Sequence, residues 1–177
     1  AKGAYMIEQY RVYDRQTLGY IDGGIIRDYS IDTDYISNNA STVTLVEETQ
    51  AKKGDIIVGL SGVNKTFIGI ITAVDNTKLQ ISFKHPKELF ADNVLNPFKY
   101  TGTLGYKFEL TSGLETILTF AFISTNDTKK KLPLLIEKRG IANGAVWMDD
   151  GDTLNISDFI QWAFDNHNVY LEFDIDF

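Results

Sequence analysis

A chain of 177 residues, 44% of them hydrophobic and 12% aromatic, is long enough to bury one sizeable core or two small ones. Its net charge of −7 argues against the phosphate-neutralising surface that nonspecific nucleic-acid binding requires, so nucleic acid is not expected among its partners. The absence of cysteine excludes a disulfide framework and thiolate metal sites, and points first to folding in the cytosol.

The chain opens on Ala1-Lys2-Gly3-Ala4 while Met6 begins a strand-like run, so the start reads as a processing or cloning remnant. Tyr5 to Tyr13 has strand character and is closed by Asp14-Arg15-Gln16-Thr17. Leu18 to Tyr35 is predicted to form a hairpin around Asp22-Gly23-Gly24, whose glycines tolerate the positive φ of a tight turn. Ser37-Asn38-Asn39-Ala40-Ser41 reads as a loop, and Thr42 to Glu47 as another β-branched strand.

Three runs then follow at short spacing: Gly54 to Leu60, Thr66 to Val74, and Lys78 to Phe83. Each is β-branched and aromatic, with Ser61-Gly62-Val63-Asn64 and Asp75-Asn76-Thr77 between them. Connections this short predict an antiparallel meander. About six strands in the first half suggest a small barrel or sandwich, which removes or covers sheet edges. The barrel is expected from Tyr5 to Phe83, with Ile57, Phe67, Ile70, Ile81 and Phe83 in its core.

At His85-Pro86 the period changes, and a helix of about two turns is expected, stopped by Asn96-Pro97. Phe98 to Leu110 returns to strand. Ser112 with Glu115 has the form of a capping box, and Leu114, Ile117, Leu118, Ala121 and Phe122 follow at helical spacing up to Asn126-Asp127-Thr128. Leu132-Pro133-Leu134-Leu135-Ile136 reads as an edge strand, because its proline cannot donate to a ladder. Ala145 to Met148 is a short strand, and a helix is predicted from about Ser157 to Asn166, with Ile156, Phe159, Ile160 and Ala163 on one face and Trp162 in the core. In Leu171 to Phe177 apolar and acidic residues alternate, which predicts a terminal strand with one buried face. Because the chain stops within that strand, it is expected to be part of a longer polypeptide.

The predicted class is α+β: a barrel-like domain over 1–95, and an α+β domain over 96–177 with two helices packed on a small sheet. No apolar run approaches the roughly 18 residues of a membrane span, and the N-terminus lacks the layout of a signal peptide, so no membrane partner is expected.

Little in the chain suggests catalysis. His85 and His167 are the only histidines, lie beside predicted helix ends, and read as solvated or capping residues. Gly59-Leu60-Ser61-Gly62 is one residue short of a nucleophile elbow and leads into a strand, which rejects a serine hydrolase. Asp149-Asp150-Gly151-Asp152 resembles a calcium loop in composition only. The glycosylation triplets at Asn39, Asn64, Asn126 and Asn155 mean little without a secretion signal. Glu172, Asp174 and Asp176 read as the wet face of the terminal strand, and Lys129, Lys130 and Lys131 as a solvated turn, with pairing to an acidic neighbour as the alternative. No catalytic, cofactor-binding or metal residue is assigned, no cofactor is expected, and the chain is expected not to be an enzyme.

Lys53-Gly54-Asp55 with its strand, Phe67-Ile68-Gly69-Ile70-Ile71, and a third strand leading into His85-Pro86-Lys87-Glu88-Leu89-Phe90 together resemble the first domain of phage tail hub proteins. The segments Thr125 to Leu134 and Asp158 to Phe164 look like stretches of tail proteins from siphophages of Gram-positive hosts. The resemblance covers about half of the chain. It implies a structural component of a tail tip or baseplate, in a phage or prophage, and a barrel that assembles into a ring. Its partners would be other tail proteins and further copies of itself, as a trimer in the particle. Its location would be the virion, with assembly in the bacterial host cytoplasm. The rival expectation is a carbohydrate- or ligand-binding β-domain, with Trp147, Trp162 and the nine tyrosines as stacking candidates.

Overall fold

The computed structural model describes residues 7–32, 35, 39–90, 94–95, 106–140, 145–148 and 154–176, and of 94–95, 106–109, 145–148 and 154 the backbone alone. Two compact units divide the chain: Ala1–Leu89 with Phe173–Phe177, and Phe90–Glu172.

The first unit is a closed antiparallel barrel. Its strands are β1 (Glu8–Tyr13), β2 (Tyr20–Ser30), β3 (Ser41–Leu45), β4 (Ile56–Ser61), β5 (Asn64–Asp75) and β6 (Gln80–Lys84). They follow one another round the wall as β1-β2-β3-β6-β5-β4, and β4 pairs back to β1. The meander of β4, β5 and β6 is present as expected.

The predicted hairpin at Asp22-Gly23-Gly24 is not. Gly23 pairs with Arg11 and Gly24 with Tyr10 in the middle of a continuous β2. These glycines serve close packing: a Cβ at Gly23 would lie 2.8 Å from the Tyr20 hydroxyl and 2.9 Å from the Tyr10 carbonyl, and one at Gly24 would lie 3.3 Å from the Tyr10 ring. The chain reverses earlier, at Asp14. The Asp14 carboxylate accepts from the backbone N–H of Gln16 and Thr17, both at 2.8 Å, and Leu18 takes the positive φ of 56°.

The barrel wall is apolar on both sides at β1, β4 and β5. Inside lie Tyr10, Val12, Val43, Leu45, Ile57, Ile71, Ile81 and Phe83. Phe67 is half-buried and stacks on Phe83 at 4.8 Å. Ile70 is buried on the other side of the wall, with Tyr13, Ile56, Val58 and Ile175, because Ile56 pairs with Ile70 while Ile57 pairs with Gly69.

Ile175 belongs to the segment expected as a terminal strand. Residues 168–176 form no strand, although burial does alternate, with Ile175 buried and Glu172, Asp174 and Asp176 exposed. The physical reason is closure: a closed barrel has no free edge to extend a seventh strand, so the segment docks without a ladder.

Gly54 and Asp55 set the entry to β4. Gly54 adopts φ 94° and donates to the Ile71 carbonyl at 2.8 Å, while the nearly buried Asp55 carboxylate accepts from the Lys52 N–H at 2.8 Å. After the barrel, Pro86–Phe90 forms a 3₁₀ helix rather than the expected two α-turns, and Val94–Leu95 is a two-residue strand, β7.

In the second unit β8 (Tyr106–Glu109) runs directly into α1 (Leu110–Leu118), followed by a π-helical turn, Thr119–Ile123. No loop separates strand from helix, so the expected Ser112 cap lies inside the helix. The Ser112 hydroxyl accepts instead from Lys138 Nζ at 3.2 Å. Leu114, Ile117, Leu118 and Phe122 are buried, and the Phe90 ring lies 4.9 Å from Phe122.

The expected strand from Leu132 to Ile136 is absent: the Leu132 N–H donates to the Phe122 carbonyl at 2.8 Å and the Leu134 N–H turns back to Leu132. β9 (Ala145–Met148) pairs with β8, and β10 (Leu154–Asn155) with β7, as two separate two-stranded ladders. α2 (Ile156–His167) buries Ile156, Phe159, Ile160 and Ala163. Asn155 caps it, accepting from the Asp158 N–H at 3.2 Å. Asn168 ends it in the left-handed conformation at φ 52°.

The class is therefore α+β, a small closed barrel followed by helices. No described helix is long and apolar enough to cross a membrane. The expectations at Tyr5, Ser37-Asn38, Asn96-Pro97, Phe98 to Gly105 and Asp149 to Asp152 lie outside the described residues.

Candidate functional site

The most distinctive surface of the barrel is a stripe of exposed apolar side chains on its outer wall, interleaved with the exposed Gln9 and Arg11. Interior and exterior alternate along each strand, and the pairing of Ile26 with Leu45, both buried, turns their neighbours Ile25 and Val46 outward. The Val46 N–H donates to the Ile25 carbonyl at 3.3 Å, which fixes that opposition. On the other flank Ile25 is paired with Gln9, and Ile7 shares the face of Gln9. Tyr20 enters from the start of β2, its hydroxyl over the space left by Gly23. Exposure of 58% at Ile7, 63% at Tyr20, 45% at Ile25 and 50% at Val46 leaves this stripe open to contact. Tyr29, further along β2, is also exposed.

A polar clasp holds the crossover from β3 to β4 across one end of the barrel. Asp22 accepts from the Thr49 hydroxyl and the Gln50 N–H, each at 2.8 Å. The Asn76 side chain accepts from the Thr49 N–H and donates to the Thr49 carbonyl, both at 3.0 Å. Burial works against ionisation of Asp22, but the donors from Gln50, Thr49 and Gly23 together hold its pKa below the usual carboxylate value. Burial raises the pKa of the Tyr10 phenol, and its hydrogen bond with the Thr49 side chain opposes that. Asp22, Thr49 and Asn76 use these hydrogen bonds to hold the crossover in place.

His85 sits half-buried between the rings of Tyr35, at 4.9 Å, and Phe173, at 5.7 Å, and its Nδ1 accepts from the Lys87 N–H at 3.2 Å. It is a capping residue. Burial, aided by the charge of Lys87, lowers its pKa to about 4, so the ring is neutral near pH 7. His167, in the last turn of α2, lies 5.0 Å from Trp162.

Ser61 stands where β4 turns into β5, paired with Asn64, in a hairpin whose Gly62 has φ 62°. The strand–helix geometry of a nucleophile elbow is not present there. Lys129, Lys130 and Lys131 are exposed in a turn in which Asp127 accepts from the Lys129 N–H at 3.0 Å. Of the glycosylation triplets, Asn39, Asn64, Asn126 and Asn155 are exposed.

The acids near the C-terminus do not converge. Glu172 lies 3.4 Å from Arg139, Asp176 is exposed, and Asp174 is paired with Lys65 at 2.6 Å. The Lys65 hydrogen bond, with the Ile175 N–H, holds the Asp174 pKa below its usual value. Among the described residues no three histidines or carboxylates gather as a metal site. Trp162, expected in the core, is 37% exposed and stacks on Phe159 at 5.8 Å, because it falls beside the buried face of α2. The side chain of Trp147 lies outside the described residues.

The stripe went unrecognised in the sequence because its residues come from three segments. The one local signal was the pair Gly23-Gly24, read there as a turn. Lys65 carried no signal at all, since its partner is more than a hundred residues away.

No protein-family model matches the chain, and no curated protein or solved structure matches it.

Proposed function

We propose that the chain is a structural assembly protein, a hub-type component of a phage or prophage tail tip or baseplate, and not an enzyme. The observation that carries the assembly reading is the outward stripe of Ile7, Tyr20, Ile25 and Val46 on a closed wall. Exposed apolar side chains grouped on a rigid sheet favour docking to another protein. A closed barrel presents them without an edge that would add strands indiscriminately. The tail assignment rests on the resemblance of the Gly54-Asp55 and Phe67-Ile68-Gly69 strands to hub proteins. The barrel gives those glycines a physical role, at the turn into β4 and against the ring of Phe83.

The partners are the neighbouring tail proteins and further copies of the chain, with a trimer in the assembled virion, built in the host cytoplasm. Stable interfaces of this kind bury more than about 1,000 Å², so the stripe is the centre of a wider contact. Light scattering of the chain mixed with the distal tail and tube proteins encoded beside it tests the reading. Complex formation that Ile25→Asp abolishes is expected, and the absence of any complex at low and high salt would overturn it.

The carbohydrate- or ligand-binding reading is favoured by one observation, the exposure of Tyr20, Tyr29, Trp162 and Tyr170, which leaves aromatic rings open for stacking. Saturable quenching of tryptophan fluorescence by an oligosaccharide, without protein partners, would select it.

A further inference from the structure

The segment Phe173–Asp176 is held on the barrel in an unusual way. It adds no strand to the wall, yet its Ile175 is buried against Tyr13, Ile56, Val58 and Ile70 on the outer side of β1, β4 and β5. Lys65, near the start of β5, reaches it twice, pairing with the Asp174 carboxylate at 2.6 Å and donating to the Ile175 carbonyl. Phe173 packs edge-on against His85 at 5.7 Å. The wall thus presents an apolar seat and, beside it, the Lys65 ammonium: the complement of a short peptide in which apolar and acidic residues alternate.

We propose that this outer wall is a peptide-docking surface whose occupant passes between copies of the chain, the Phe173–Asp176 segment of one copy seating on the β4–β5 wall of another. Three observations support exchange. First, the segment is attached without a ladder, so its release breaks no strand pairing. Second, it follows directly on Glu172, which belongs to the other compact unit, so the chain passes from one unit to the other at the residue before the segment begins. Third, the contacts made on a neighbour are identical to those made at home, the condition under which swapping an element carries little free-energy penalty. The exposed half of the ion pair, Asp174 with its side chain 73% accessible, adds little affinity in water but strongly discriminates sign.

Charge complementation tests this with the whole chain. Lys65→Asp places two carboxylates together at home, and Asp174→Lys places two ammonium groups together, so each variant alone disfavours its own docking. In an equimolar mixture both pairings between unlike copies are restored. Static light scattering behind size exclusion is expected to show each variant at the mass of one chain and the mixture at twice that mass or a higher even multiple. A mixture that stays at the mass of one chain, or a single variant that already associates, would overturn the exchange.

Because the chain has no cysteine, a second test does not depend on charge repulsion. Lys65→Cys mixed with Asp174→Cys should be joined by a short bis-maleimide into a two-chain product. Lys65→Cys mixed with Lys129→Cys should not. Equal yields from the two mixtures would contradict exchange as well.

Discussion

Gly69 of β5 lies beneath the ring of Phe83 of β6 so closely that a Cβ would stand 2.3 Å from Cδ2, with the Lys84 carbonyl 2.9 Å away on the backbone side. Phe83 cannot yield readily, because its other neighbour is Phe67, stacked at 4.8 Å. Phe67 in turn fills the space above Gly59, where a Cβ would meet its ring at 2.1 Å. Gly69→Ala and Gly59→Ala are each expected to lower stability by about 1–3 kcal/mol through overpacking. Chemical denaturation measures this, and an unchanged midpoint for both would contradict the stacked pair.

Ile70→Asp would place an unpaired carboxylate among Tyr13, Ile56, Val58 and Ile175. The expected loss is several kcal/mol, seen as a large fall in melting temperature. A melting curve like that of the parent would refute the burial of this outer cluster.

Thr49→Val removes a donor to Asp22 and leaves the crossover held by fewer bonds, at a cost of about 1–3 kcal/mol. The pKa of Asp22 is lowered in the folded state, so its contribution to stability is present above the ordinary carboxylate pKa and is lost as pH falls below it. The destabilisation by Asp22→Asn, measured by denaturation, should therefore shrink under acid conditions. A penalty independent of pH would show that the charge plays no part in the clasp.

His85 titrates in the opposite chemical sense with the same consequence. Its folded pKa is depressed to about 4 from 6.5, so the unfolded chain takes up the proton first and stability declines as pH falls from 6.5 towards 4. Partial exposure screens the effect. His85→Gln is expected to flatten this part of the stability profile relative to the parent, and superimposable slopes would contradict the burial of the imidazole between Tyr35 and Phe173.

Most of the barrel could be read from β-branched runs and the turns between them, because β4, β5 and β6 follow one another and pair through short hairpins. What misled were residues whose conformation is decided at a distance. Gly23 and Gly24 have turn chemistry, but the rings of Tyr20 and Tyr10 claim their space. Ser112 has the form of a cap, but β8 delivers the chain into α1 two residues earlier. Leu171 to Asp176 has strand periodicity, and the burial of Ile175 honours it, but closure of the wall leaves no edge to pair with. Among the described residues, the candidate surface needed the register of β1, β2 and β3 before Ile7, Ile25 and Val46 became neighbours.

The central claim, that the wall carrying Tyr20 and Ile25 docks other proteins, is tested most directly by hydroxyl-radical footprinting of the chain alone and in complex with the tail proteins proposed as its partners. Oxidation of Ile7, Tyr20 and Ile25 should fall severalfold in the complex, while that of Leu135, 89% exposed in the second unit, stays constant. A complex that leaves the oxidation of Tyr20 and Ile25 unchanged would contradict the claim.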